Sequence, residues 1–533
     1  MSLTSFDFLC FFALLLILYY IVPVFTKHKG QWVVLLIASL VFFYNNVRDD
    51  NNYYLVLYPL ITSFVTWFLL FLLSKTDEND LKKRRLILSA ELFVLLGILI
   101  ALKYVKLITG GNVATPLGLS FYTFILLGYF IEVYNGIGVR QKSFLKTCLY
   151  GMYFPVMISG PIMKTRDSGK QFFEYHPFDY KNITFGLQRM LWGFFKELVI
   201  SERLAVIVNA IYNNDTEYPG AFIILGTVCF AFQLYTNFSG CMDIVIGMSE
   251  CFGIVLPENF ATPFLAKSIS EYWRRWHITL GVWMKDNVFY PLLRTKMISD
   301  LTKRLKKKLG KKKGKQYSTY VAMFILWFSV GMWHGGEPKY VIGSGVLHWG
   351  YIVFGEISLP FFTWLFAKKL HINMQSKFAD CVRVIRTFIL VCIGDLFFRA
   401  DNVHHALRMI KESVTVFNPQ IFVDGSLLNL GLDIYNWGVL IFSLMILIIV
   451  SSIQFKMEML SASASSLKKV SAGQEQDVTK PSRFSGFKNV REYIASKGLI
   501  IRWIILLGLL FYCIFLAEYG PGYSAAEFIY KDF

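Results

Sequence analysis

Apolar residues along this chain gather into long runs separated by short polar stretches, and the runs recur from one end to the other. Clear runs lie at 6–25, 31–46, 52–74, 86–106 and 116–135. Further ones fall near 143–163, 185–212, 219–250, 318–334, 341–366, 381–398, 434–452 and 499–518. Most reach the length of roughly 17–25 residues that a helix needs to cross a bilayer. The pattern predicts an all-α polytopic membrane protein with roughly 11–14 membrane helices. Several runs contain Gly, Pro or charge and are expected to be broken or re-entrant, which lipid tolerates only where protein or a water-filled cavity satisfies the backbone.

The polar stretches set an orientation. Lys27 and Lys29 follow the first run, Lys82, Lys83, Arg84 and Arg85 the third, and Arg140, Lys142 and Lys146 the fifth. Loops 47–53 and 106–115 are less basic, so the positive-inside rule places the N-terminus outside. Residues 303–315 (KRLKKKLGKKKGK) and the polar stretch 454–497 are then cytoplasmic, and the tail after the last run is outside. No basic segment or small-residue cleavage site flanks the first run, which reads as a retained span rather than a signal peptide.

Composition agrees: 55% of residues are hydrophobic and only 17% charged, against about 25% charged in soluble domains. The formal charge of +18 sits between apolar runs, where it acts first on topology, so no nucleic-acid partner is expected. Eight cysteines are scattered without a CxxC pair, which indicates neither a zinc site nor a disulfide framework, and no metal is expected. Residues 303–315 read either as a solvated loop that touches anionic membrane lipid or as a dock for an anionic donor. No Walker loop supports ATP-driven transport.

Chemistry concentrates in the centre. Residues 272–286 set Trp273, Arg274, Arg275, Trp276, His277, Trp283, Lys285 and Asp286 among apolar neighbours. Such mixing suits a helix at the interface, as an anchor, or one lining a buried polar cavity. The run from Val321 ends in GMWHGG, which puts His334 at a helix end where glycine allows close approach of backbone and ligand. His348, in GVLHWGY, is a third imidazole. A lone histidine in such a place is usually a satisfied structural one, although an ionisable residue at membrane depth is by default also a candidate functional group.

At these residues the chain resembles the membrane-bound O-acyltransferase (MBOAT) family, in its bacterial polysaccharide-acylating, AlgI/PatA/DltB-like branch. The blocks that carry the resemblance are PLGLSFYTF (116–124), YFPVMISGPIMK (153–164), the stretches 178–205 and 235–292, GMWHGG (331–336), GVLHWG (345–350) and FFRA (397–400). It covers roughly 90–405, which the resemblance makes the catalytic core. Residues 1–89 are then N-terminal helices, 406–498 a connecting region with one helix and a cytoplasmic loop, and 499–533 the last helix and tail. The resemblance implies a ring of helices around a central funnel, with His334 and His277 as the family's catalytic histidines. Trp273, Arg274, Arg275, Trp276, Asp286, Trp333, His348 and Asp243 would line the funnel or meet substrate. Asn237 and Cys241 depart from the family's usual Asp and Tyr.

The implied reaction moves an acyl group from a thioester to a hydroxyl, for which histidine is suited as the base near neutral pH. His334 is the candidate base, and no GxSxG elbow suggests a serine acyl-enzyme. No bound cofactor is implied; the donor is acetyl-CoA or an acyl-phosphopantetheine carrier protein, with acetyl favoured over D-alanyl. The tail resembles the FxYxxF motif of small single-span partners in D-alanyl transfer, through Phe528, Tyr530 and Phe533. Tyr530 would then relay the acyl group, once activated by a base, to an extracellular SGNH or serine-hydrolase-like partner. The acceptor would be a cell-envelope polysaccharide or teichoic acid, in a bacterial plasma membrane with both termini extracytoplasmic. A flippase would instead show repeats with paired broken helices, and a scaffold would be indifferent to His334.

Overall fold

Backbone amides in lipid have no water to bond, so each apolar run closes its hydrogen bonds upon itself as a helix. The computed structural model describes residues 2–48, 52–109, 114–157, 159–470, 484 and 486–518, and it has no strand among them. The N-terminal part comprises α1 (Phe6–Phe25), α2 (Gln31–Arg48), α3 (Leu57–Lys75), α4 (Leu81–Thr109), α5 (Leu119–Tyr134) and α6 (Phe144–Met152). The centre holds α7 (Tyr180–Phe194), which runs through a π-helical segment, Phe195–Ser201, into α8 (Glu202–Asn213). It is followed by α9 (Ala221–Cys251), α10 (Ile269–Arg275), α11 (Ile278–Met284), α12 (Lys296–Leu309) and α13 (Lys311–Trp333). A second π-helical segment, Val341–Val346, leads into α14 (Leu347–Thr363), and α15 (Lys377–Arg399), α16 (Val403–Thr415), α17 (Ile434–Val470) and α18 (Leu499–Leu516) complete the fold.

Among the described residues, seven helical stretches are long and apolar enough to span a membrane: Phe6–Phe25, Tyr53–Lys75, Leu81–Val105, Ala221–Cys251, Pro338–Lys369, Ile434–Ala462 and Leu499–Leu516. The protein is therefore a multi-pass membrane protein. Burial separates their roles, since 72% of the apolar window of Ala221–Cys251 is buried against 6% for Leu499–Leu516. Helix α9 is thus the central strut and α18 a peripheral one. Tyr512 of α18 pairs with Ser443 Oγ of α17 at 3.0 Å, and Glu518 just beyond it meets the buried Arg203 at 3.0 Å.

Three sequence expectations change and one holds. Run 143–163 is broken, as its Gly and Pro residues lead one to expect: α6 stops at Met152, a single turn follows at Phe154–Met157, and Pro155, Gly160 and Pro161 prevent continuation. Run 272–286 is also divided, because Trp276 and His277 break the helix between α10 and α11, with His277 in the left-handed region at φ 44°. The lysines of 303–315 ride on helices rather than a loop. Helices α12 and α13 fold back on each other at Gly310 (φ 84°), and Thr302 Oγ1 bonds Ser318 Oγ at 2.8 Å. Lysine is a good helix former, and Ile298, Leu301 and Leu305 give α12 an apolar stripe. Part of 454–497 is ordered as well, since α17 continues to Val470 and Arg491 reaches Glu250 at 2.8 Å.

Candidate active site

His277 sits at the break between α10 and α11, and its conformation follows from a hydrogen-bonded brace. The Ile278 amide donates to the Asn259 carbonyl at 3.0 Å, and the Ala261 amide to the Arg275 carbonyl at 2.9 Å. Asn259 Oδ1 accepts from the Thr279 amide (3.0 Å) and the Thr279 hydroxyl (2.9 Å), and lies 3.2 Å from His277 Nδ1. Thr279 Oγ1 in turn accepts from the Ile162 amide at 3.0 Å. Left-handed backbone costs a non-glycine residue about 1–3 kcal/mol, and this set of bonds holds it there. Asn259, His277 and Thr279 are all buried.

His334 follows the last turn of α13, with its amide bonded to the Val330 carbonyl at 3.2 Å. Gly335 and Gly336 turn the chain immediately afterwards. A Cβ on Gly335 would meet the Tyr340 ring at 2.8 Å, and Gly336 has φ 76°. Both histidines face Trp333, whose ring centroid is 4.9 Å from that of His334 and 5.7 Å from that of His277. Phe121, Phe124, Phe238 and Phe398 pack around these rings, with Phe238 4.9 Å from His277 and Phe398 5.6 Å from His334. Phe124 is itself fixed by a parallel stack on Trp283 at 4.0 Å, and Trp283 Nε1 donates to its carbonyl at 2.9 Å.

The terminal carbonyls of α13 need donors, as at any helix C-terminus. Helix α4 supplies them: Lys103 Nζ donates to the Trp333 carbonyl and Tyr104 to that of Met332. Lys103 Nζ is also 3.3 Å from Ser120 Oγ and 5.4 Å from the Trp333 ring centroid. Lys103→Met leaves the Trp333 carbonyl without this donor. It is expected to cost about 2 kcal/mol, read as a lowered thermal midpoint in detergent, with Lys103→Arg nearer to wild type.

Of the residues singled out in the sequence, the structure brings His277, His334 and Trp333 together in one buried ring cluster. His348 occupies an adjoining aromatic box, with Trp273 at 4.9 Å and Trp327 at 5.8 Å. The others lie elsewhere. Asp286 is half-exposed and paired with Lys164 at 2.6 Å and Arg166 at 3.8 Å. Arg274 is exposed, whereas Arg275 binds Glu271 (3.0 Å) and Glu458 (2.9 Å) and so ties α10 to α17. Trp276 packs on Phe260 and Tyr272. Asp243 is held by Arg189 at 2.9 Å and Lys196 at 2.5 Å. Asn237, at the departure from the usual family Asp, donates to the buried Glu197 at 2.8 Å, where a second carboxylate would repel it. Phe528, Tyr530 and Phe533 lie outside the described residues.

Residues 133–393 match MBOAT, the membrane-bound O-acyltransferase family. Just under half of the chain is thus similar to that family. It is 30% identical over 300 residues to a probable alginate O-acetylase AlgI of Pseudomonas syringae, covering 56% of this chain and 51% of that protein. It is 28% identical to a peptidoglycan O-acetyltransferase of Helicobacter pylori, over 56% of each. A teichoic acid D-alanyltransferase of Bacillus subtilis is 26% identical over 55% of this chain and 71% of its own length. The chain thus spans about half the length of the alginate O-acetylases it matches. The matched region contains His277, His334, His348 and Asn259. Lys103, Ser120, Phe121 and Phe124, which pack near the same cluster, lie before the match begins. Sequence reasoning passed over Asn259 and Lys103; a lone cation near the end of an apolar run was the available signal for the latter.

Proposed function

We propose that this protein is a membrane O-acyltransferase that takes an acyl group from a cytoplasmic thioester and passes it across the membrane for O-acylation of a cell-envelope polymer. The observation that carries the reading is the meeting of His277 and His334 around Trp333, in a buried aromatic cluster within the region similar to MBOAT. His334 takes the hydroxyl proton as oxygen attacks the thioester carbonyl. The tetrahedral intermediate collapses with loss of thiolate, which recovers the proton from His334 and leaves as thiol. The aromatic walls keep out the water that would hydrolyse the donor.

Acetyl-CoA is the donor in this reading, which agrees with the acetyl group in the names of the alginate and peptidoglycan relatives. D-alanyl transfer from a carrier protein is the second reading, favoured by the likeness to a teichoic acid D-alanyltransferase over 71% of that protein. Tyr530 is the relay: it receives the acyl group and presents it outside to a serine-hydrolase-like partner for transfer to polysaccharide or teichoic acid. Glu518 is anchored at Arg203 and, through its amide, at the Leu198 carbonyl. From that point the twelve residues to Tyr530 reach at most about 40 Å. Intact-mass measurement of the protein and its C-terminal peptide after incubation with acetyl-CoA tests this. One acetyl adduct on Tyr530, absent from Tyr530→Phe, is expected. No adduct with either acetyl-CoA or D-alanyl-carrier would sink the relay.

A further inference from the structure

We infer that Asn259 is the positioning residue of His277, holding its imidazole in the Nδ1–H form so that Nε2 carries the lone pair. The amide orientation of Asn259 is settled first. Its Oδ1 faces the Thr279 backbone N–H at 3.0 Å, and a backbone N–H only donates, so the oxygen and not the nitrogen must stand there. The Thr279 hydroxyl accepts from the Ile162 amide, so its own proton goes to the same oxygen. That oxygen also lies 3.2 Å from His277 Nδ1. An acceptor faces only a donor, so Nδ1 bears the hydrogen. The tautomer is assigned from this network, which is how protons on histidine are placed at heavy-atom detail.

The brace joins three distant pieces of chain: Ile162 from the loop after α6, Asn259 from the segment after α9, and Thr279 in the first turn of α11. It therefore fixes the ring position as well as the proton. With Nδ1 engaged, the ring presents an acceptor, not a donor, at Nε2 on its far side from Asn259. Phe238 and Trp333 pack against the same ring. On the acyl-transfer reading above, on which this step rests, that lone pair is a fixed acceptor in the ring cluster that also holds His334, placed to steady the charge that develops there while the thiolate departs. A base oriented by a hydrogen-bonded third group is the general requirement for such a site.

Solid-state 15N NMR of histidine-labelled protein in lipid bilayers reads the tautomer without any assay, with His277 assigned by its loss in His277→Gln. A protonated Nδ1 and bare Nε2 are expected in wild type, and loss of that single form in Asn259→Leu. A wild-type Nε2–H form overturns the inference whatever the activity. Kinetics with acetyl-CoA supply the second arm. Asn259→Leu is expected to lower kcat on the order of 100-fold with KM little changed, as loss of an orienting group does. Asn259→Asp keeps the acceptor oxygen and is expected to recover most of that loss. Equal loss in both variants, or an effect on KM alone, overturns the orienting role in favour of packing. Absence of transfer in wild type with acetyl-CoA and with D-alanyl-carrier defeats the functional reading instead, and the NMR arm still decides the tautomer.

Discussion

His334→Ala is expected to lower acyl transfer by on the order of 10³-fold, in the range that general acid–base groups supply, while leaving the helices folded. The loss is chemical because of where His334 sits. Its amide bond to the Val330 carbonyl is made by any residue at that position, so alanine keeps the end of α13. What disappears is the imidazole between Trp333 and Phe398, and with it the proposed acceptor for the hydroxyl proton. Label transfer from acetyl-CoA in bilayers measures the first effect, and elution as a single species in detergent checks the second. Lys103→Met offers the converse, a residue that supports α13 and is expected to cost stability first. If His334→Ala kept wild-type transfer, the two-histidine cluster would not be the reaction centre.

Much of this architecture was legible because a bilayer leaves a chain few options. Apolar runs of spanning length must be helices, and their places along the sequence follow the observed helices closely. The failures occurred where polar residues interrupt apolar ones. A break at Trp276 and His277 depends on carbonyl and side-chain oxygens of Asn259, eighteen residues earlier, which local periodicity does not report. The lysine hairpin was hidden because charge suggests solvent, while helix propensity and the Ile298, Leu301, Leu305 stripe act regardless of it.

The site divides in the same way. His277 and His334 were visible as intramembrane imidazoles in aromatic, glycine-rich surroundings. Lys103 meets Trp333 across 230 positions, so its role follows from packing alone. Asp286 illustrates the reverse. It stands nine residues from His277 in a promising block, yet the turn through α11 delivers it to Lys164 and Arg166 at a half-exposed edge. Adjacency in sequence placed it near the histidine, and three-dimensional folding removed it.

Gly247→Leu is expected to be among the most disruptive single changes in the protein, through the crossing of α7 and α9. These antiparallel helices touch backbone to backbone at two glycine pairs spaced seven residues apart on each, Gly186 with Gly247 and Gly193 with Gly240. A Cβ on Gly247 would lie 2.5 Å from the Gly186 carbonyl oxygen, and one on Gly186 would lie 2.4 Å from that of Gly247. At the second pair a Cβ on Gly193 would stand 2.7 Å from the Gly240 carbonyl oxygen. Neither contact yields by a rotamer change, since the opposing atom is backbone. Small residues permit such close crossings in lipid, where hydrophobic force between helices is weak and packing supplies the attraction. Leucine must therefore separate the helices, at a cost of about 3 kcal/mol or more. The separation would reach the histidine cluster, because α9 carries Phe238 against His277 and Asp243 against Arg189 and Lys196. Thermal unfolding and size-exclusion profiles in detergent measure it, against Gly438→Leu and Gly508→Leu, where a Cβ meets nothing within 4 Å. Equal tolerance at all three positions would mean that α7 and α9 are not held by this crossing.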